Sequence, residues 1–192
     1  MRRFDGVIFD MDGTLIEPLL DFQRIRSDLG VPADAGILET LDAMPPDVAR
    51  PLRQRLTAHE LAAAREARLT PQAGEVLAEI RRAGLKTALL TRNAAEAMGI
   101  VLERFGLEFD LAWSREDGPI KPEPDGVLRA CRELHVAPAR CACVGDFRYD
   151  LLAANAAGAV SILLARGDPP DFAHLADHVI SELAELAGIL EL

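Results

Sequence analysis

The sequence predicts an α/β protein, with a mainly parallel sheet flanked by helices and one small all-helical insertion. Three observations carry that prediction. Short apolar runs of strand type alternate with stretches of helical periodicity along the chain. Several of the runs end in a polar or acidic residue at a turn or a helix start, the edge where open α/β sheets bind ligands. Between the first run and the second, residues 18–70 show helical spacing only, too long a stretch for a simple crossover.

The totals agree. A chain of 192 residues holds one α/β domain with a sizeable core and a small insertion. Hydrophobic content of 49% with 27% charged residues is ordinary for a soluble globular protein. The net charge is −10, from 31 acids against 21 bases, which argues against non-specific binding to nucleic acid or to an anionic membrane. A small anion is not excluded, because a local site can be positive within an acidic protein. Three cysteines do not make a disulfide framework; Cys141 and Cys143 alternate with Ala142 and Val144 and read as small strand residues rather than a metal pair. No apolar run approaches the ~20 residues of a membrane span. Met1-Arg2-Arg3 leads into the first strand without a signal-peptide pattern, so a cytoplasmic protein is expected, and a monomer.

The first strand is Val7-Ile8-Phe9, apolar throughout as a strand covered on both faces is. Asp10 and Asp12 stand at its end, Gly13 permits a sharp turn and Thr14 adds a hydroxyl. Two carboxylates one residue apart beside a turn suit a hard cation. Phe22, Ile25 and Leu29 then predict a helix ended by Gly30 and Pro32, and Ile37, Leu38 and Leu41 a second, stopped by Pro45-Pro46. Val48, Leu52 and Leu56 lead into a third, continued by the helix formers of residues 62–67. This stretch carries Arg24, Arg26, Arg50, Arg53, Arg55, Arg65 and Arg68; most are expected on solvated faces, and none is singled out as a ligand.

Val76, Leu77 and Ile80 mark a helix closed by Gly84, and Lys86 to Leu90 the second core strand. That strand ends at Thr91-Arg92-Asn93, where Asn93 is the expected N-cap of a helix carrying Met98, Val101, Leu102 and Phe105 and stopped by Gly106. Thr91 thus sits just before a helix N-terminus, where a hydroxyl and free N–H groups receive an anion; a simple capping role fits it equally. Phe109 to Trp113 reads as a short third strand, followed by a polar loop to Lys121. Pro122 and Pro124 favour extended backbone and a defined start for a helix with Val127, Leu128, Cys131 and Leu134, which holds Lys121 on a stiff segment. Cys141 to Val144 is the fourth strand and runs into Gly145-Asp146-Phe147-Arg148-Tyr149-Asp150. Asp146 and Asp150 are one helical turn apart and reach the same side, ahead of a helix from Leu151 to Ala157 in which Asn155 is at most a supporting residue. After Gly158 come a fifth strand, Val160 to Leu164, and a sixth at the edge, His178 to Ile180. His174 and His178 read as surface residues, and a last helix from about Ser181 packs Leu183, Leu186 and Leu190.

Asp10-x-Asp12-Gly13-Thr14-Leu15, the strand-ending Thr91, Lys121-Pro122 and Gly145-Asp146-x-x-x-Asp150 resemble, in order, the four motifs of the haloacid dehalogenase-like (HAD-like) superfamily of phosphohydrolases. The resemblance is to members with a C1-type helical cap, phosphoglycolate phosphatase-like ones above all. It implies a Rossmann-like core over residues 1–16 and 71–192 and a helical cap over 17–70, hinged at 15–18 and 70–72. It further implies an Mg2+-dependent phosphatase acting on a small phosphorylated metabolite through an aspartyl-phosphate. By the same resemblance Asp10 is the nucleophile and Asp12 the acid–base group. The metal set is Asp10, Asp12 through its carbonyl oxygen, Asp146, and Asp150 through a water. Thr91 and Lys121 stabilise the phosphoryl oxygens, with Arg92 and Asn93 beside them in the substrate site. A phosphomutase of the β-phosphoglucomutase kind shares these motifs, and a non-catalytic binding protein on the same fold is the alternative of another class. Asp12 argues against a haloacid dehalogenase proper, which works without metal and lacks that acid.

Overall fold

In the computed structural model residues 3–192 are described; Met1 and Arg2, on which the leader reading partly rests, lie outside the described residues. Six strands form one sheet: β1 (Gly6–Phe9), β2 (Lys86–Leu90), β3 (Leu111–Trp113), β4 (Cys141–Gly145), β5 (Val160–Leu164) and β6 (His178–Ile180). Their order is β3-β2-β1-β4-β5-β6, and every pairing is parallel. This is the doubly wound, Rossmann-like arrangement. The chain leaves β1 on one side to build β2 and β3, then returns to the other side for β4. The switch point therefore lies at the carboxyl end of β1, beside that of β4. Register sets Phe9 level with Leu89 and with Val144, so β1, β2 and β4 finish together.

Side-chain alternation explains the burial. Val7 and Phe9 enter one core layer with Leu89, Val144 and Ile162, while Ile8 enters the opposite layer with Ala88, Leu90 and Cys143. The first layer is covered by α4 (Ala73–Arg82), α5 (Ala95–Phe105) and the short α8 (Leu186–Leu190); the second by α6 (Asp125–Leu134) and α7 (Arg148–Ala157). Cys131, Cys141 and Cys143 are free, buried and packed in that second layer, as small apolar residues.

Three helices fall between the first two strands: α1 (Phe22–Leu29), α2 (Ile37–Asp42) and α3 (Pro46–Glu66). They share a cluster of their own, built on Ile25, Leu29, Leu38, Leu41 and Leu56. The chain enters and leaves this segment through a paired crossing. Ile16 bridges Leu69 in antiparallel fashion, Glu17 N–H donates to the Arg68 carbonyl at 2.9 Å, and Thr70 N–H donates to the Leu15 carbonyl at 2.9 Å. The last turns of α3 reach further, since Ala64 joins the main core beside α5.

Several local expectations are corrected. On α3 the inward stripe is Ala49, Leu56, Glu60 and Ala64, which turns Val48 outward. Phe22 is likewise exposed rather than core. β3 starts only at Leu111; just before it Asp110 N–H donates to the Thr87 carbonyl at 3.0 Å and its carboxylate accepts from Thr87 N–H at 2.8 Å. Residues 121–124 form turns instead of extended backbone, with Glu123 N–H donating to the Ile120 carbonyl. α7 begins at Arg148, earlier than Leu151, and the C-terminal helical stretch begins at Leu183. Among the described residues no helix is long and apolar enough to cross a membrane.

Candidate active site

The site forms where β1, β2 and β4 end. Asp10 N–H donates to the Val144 carbonyl at 2.9 Å, extending the sheet by one residue and fixing the Asp10 side chain at its edge. The Met11 carbonyl then gathers the N–H groups of Thr14, Leu15 and Ile16 within 3.3 Å, which folds residues 11–16 into a tight turn. Gly13 has φ +74°, and a Cβ there would collide with the Asp146 carboxylate. Gly145 plays the same part on β4: a Cβ would collide with Asp150. The two glycines are what let acids from both ends of the chain converge.

The result is a compact charged cluster. Asp10, Asp146 and Asp150 each offer a carboxylate oxygen, all within 4.8 Å of one another. The Lys121 ammonium stands between two of them, 2.5 Å from Asp10 Oδ1 and 2.6 Å from Asp150 Oδ1. Asp12 points its carboxylate elsewhere, accepting from Asn93 Nδ2 at 2.7 Å. Asn93 is not the N-cap expected: α5 starts after Ala94, and the N–H groups of Ala94 and Ala95 donate to the Glu60 and Glu116 carboxylates. The Thr91 hydroxyl accepts from Asn93 N–H at 3.1 Å, which leaves its proton free to donate. Arg92 donates to the Lys121 carbonyl and to Glu39 Oε1 on α2, at 2.7 Å for the latter, and lies 4.6 Å over the Tyr149 ring. Asp10, Asp12, Thr91, Arg92, Asn93, Lys121, Asp146 and Asp150 thus line one cavity of about 370 Å3, walled on the far side by α1, α2 and α3. Asn155 is not among them; its amide donates to the Leu175 carbonyl.

Three residues beside the site escaped the sequence reading. Glu60 of α3 is 3% exposed; it accepts from Ala94 N–H at 3.2 Å and pairs with Arg115, which also donates to Thr57 Oγ1 at 2.9 Å. An acid within a helix of strong helix formers reads as solvated, and only the fold brings Arg115 to it. Arg166, just past β5, donates to the Gly13 carbonyl and to Thr70 Oγ1, joining the acidic turn to the chain crossing. Its one sequence signal is its place after a strand end.

Burial and mutual repulsion set the protonation of the acids. Burial first, then Asp10 and Asp150, push the Asp146 carboxyl up to about 8. Burial, Asp10 and Glu60 raise Asp12 to about 7. For Asp10, burial outweighs the pull of Lys121 and raises it to about 6. At Lys121 burial opposes the charge, but Asp10 and Asp150 overcome it and hold the ammonium protonated. Four acids against one cation leave a strong deficit of positive charge, and an all-oxygen donor set of this kind fits a hard divalent ion.

A prediction on stability follows. Acids whose folded pKa lies above the usual 3.8 bind more protons folded than unfolded between that value and about 8. Stability of the metal-free protein therefore falls as pH rises through this window. Melting in EDTA should drop by at least ~2–4 °C from pH 6 to pH 8, the shift produced by roughly 1 kcal/mol. Millimolar Mg2+ should reverse most of that drop, and Asp146→Asn should flatten it. A metal-free melting temperature that climbs over the interval would refute the assignment.

Comparison with known proteins agrees with this geometry. The profile of haloacid dehalogenase-like hydrolases matches residues 4–158. A haloacid dehalogenase-like hydrolase domain-containing protein of Arabidopsis thaliana is 30% identical over 207 residues, covering 98% of this chain and 84% of its own. N-acetylmuramic acid 6-phosphate phosphatase of Pseudomonas aeruginosa is 28% identical over 217 residues, covering 98% and 96% respectively. Among solved structures, a protein described as a predicted phosphoglycolate phosphatase from Haemophilus somnus superposes with a TM-score of 0.77 at 22% identity, over 98% of this chain and 99% of the other. With the acids gathered at the switch point of a sheet of that shape, and a match over most of its length, the chain belongs to the haloacid dehalogenase-like hydrolases.

Proposed function

We propose that this hydrolase is an Mg2+-dependent phosphatase that cleaves a small organic phosphate monoester through an aspartyl-phosphate on Asp10. The observation that carries the reading is the meeting of Asp10, Asp146 and Asp150, with the Lys121 ammonium paired to the first and the last. The Pseudomonas relative, named as a phosphatase of a sugar phosphate, supports the reaction class.

Asp10 and Asp146, with the Asp12 carbonyl oxygen, would hold Mg2+, and Asp150 would act through a bound water. When bound, the ion offsets the repulsion between a carboxylate and a phosphate dianion. Asp10 attacks phosphorus; its Oδ–P bond forms as the ester P–O bond breaks. Asp12 gives its proton to the departing alkoxide oxygen. A water then loses a proton to the Asp12 carboxylate and attacks the same phosphorus, so the Oδ–P bond breaks and inorganic phosphate leaves. A group at about 7 suits both directions of transfer near neutral pH. Lys121 and the Thr91 hydroxyl stabilise charge on the phosphoryl oxygens. The helical segment 17–70 acts as the cap that keeps bulk water from the intermediate.

Release of phosphate from p-nitrophenyl phosphate tests the reading. Turnover should require Mg2+ and stop in excess EDTA. Failure to release phosphate from any of a broad set of phosphate esters, with Mg2+ present, refutes it.

A further inference from the structure

We infer that the substrate carries an apolar body on the phosphate-bearing oxygen, seated against the helical wall of the cavity by Leu20, Phe22, Ile25, Ile37, Leu38 and Leu56. The inference rests on the phosphatase reading and deepens it. All six side chains line the same cavity as the acids. A volume of about 370 Å3 is far more than a two-carbon acid needs and falls in the ~300–1,000 Å3 range of pockets for larger organic ligands.

Much of the polar lining is already committed, although Asp34, Arg148 and Tyr149 also face the cavity. Glu60 is bound to Arg115 and Ala94 N–H. Arg92 is bound to Glu39 and the Lys121 carbonyl. Asn93 serves Asp12, and Arg26 donates to the Ala35 and Phe22 carbonyls at 3.2 and 3.3 Å. A polyhydroxylated body placed against the six apolar side chains would bury hydroxyls without partners. An apolar body meets the wall without that cost and gains by leaving water. Two exposed aromatic rings extend the same surface to the entrance, Phe22 at 51% and Phe147 at 44% exposure. Large apolar side chains left in water around a cleft mark a binding surface.

The test is a chain-length series of n-alkyl phosphates, from ethyl to octyl, with glucose 6-phosphate and phosphoglycolate for comparison. kcat/KM should rise about two- to fourfold per methylene, the upper figure being full burial of each group. Octyl phosphate should then exceed both polar esters. Phe22→Ser, at an exposed position, should reduce the octyl-to-ethyl ratio about threefold or more. Calorimetry with n-alkylphosphonates in Mg2+ gives a readout independent of turnover: Kd should fall with chain length, with a negative heat-capacity change. A flat or falling series, or a preference for the sugar phosphate, overturns the inference while leaving a phosphatase. No release from any ester, ethyl phosphate included, overturns the phosphatase reading and this one with it.

Discussion

Asp10→Asn should abolish phosphate release while leaving the fold intact. The amide has the shape of the carboxylate but neither its charge nor its nucleophilicity, so no phospho-enzyme forms. Loss of a covalent nucleophile costs on the order of 10^4–10^6 in rate. Stability moves the other way. Burial already raises the Asp10 carboxyl to about 6, which means that the folded protein resists its ionisation even with Lys121 alongside. The neutral amide removes that conflict and leaves Lys121 paired with Asp150. Melting of the metal-free variant at pH 8 should therefore equal or exceed that of the native chain. The experiment pairs a melting curve with incubation in a phosphoryl donor followed by intact mass. The native chain, quenched in acid, should show a phosphoryl adduct and the variant none. An Asp10→Asn protein that folds and still turns over at more than about a hundredth of the native rate would remove Asp10 from the nucleophile's place.

Much of this arrangement was legible in the residues, for a physical reason. Strands buried on both faces are largely apolar, so Val7-Ile8-Phe9, residues 86–90 and residues 141–145 stand out, and whatever polar residue follows such a run sits at the sheet's edge. Asp10, Thr91 and Asp146 were found in this way, and all three line one cavity. Gly13 was legible as a turn, whereas the collisions that a Cβ at 13 or 145 would meet with Asp146 and Asp150 appear only in the fold. What could not be read were contacts between residues far apart in the chain. Nothing local tells that the Asn93 amide donates to Asp12, 81 residues away, or that Glu60 meets Arg115 across 55. Nor does helical spacing say which side of a long amphipathic helix finds a partner. On α3 the first expected position fails, Val48 being exposed and Ala49 buried, while Leu52 and Leu56 pack into the cluster of the three helices.

Lys121→Met separates the two duties of the one buried cation. The lysine is 8% exposed and holds two carboxylates that would otherwise face each other uncompensated. Removing one partner from a buried ion pair costs roughly 3–5 kcal/mol when the charges left behind stay ionised. Here the remaining acids can take up protons instead, so the loss should be larger at pH 8 than at pH 6, and Mg2+ should recover part of it. Catalysis is affected differently. Without the ammonium the phosphoryl oxygens lose a fixed donor in a water-poor site, worth about 10^2–10^3 in kcat by analogy with other oxyanion donors. Neutralising Asp150 as well, in Lys121→Met/Asp150→Asn, relieves the repulsion and should restore melting at pH 8 toward the native value. It cannot restore the donor to phosphate, so kcat should stay low. A double variant that regains both stability and turnover would reduce Lys121 to a structural counter-ion. One that regains stability alone, with kcat well below that of Asp150→Asn by itself, places the ammonium on the transferring group.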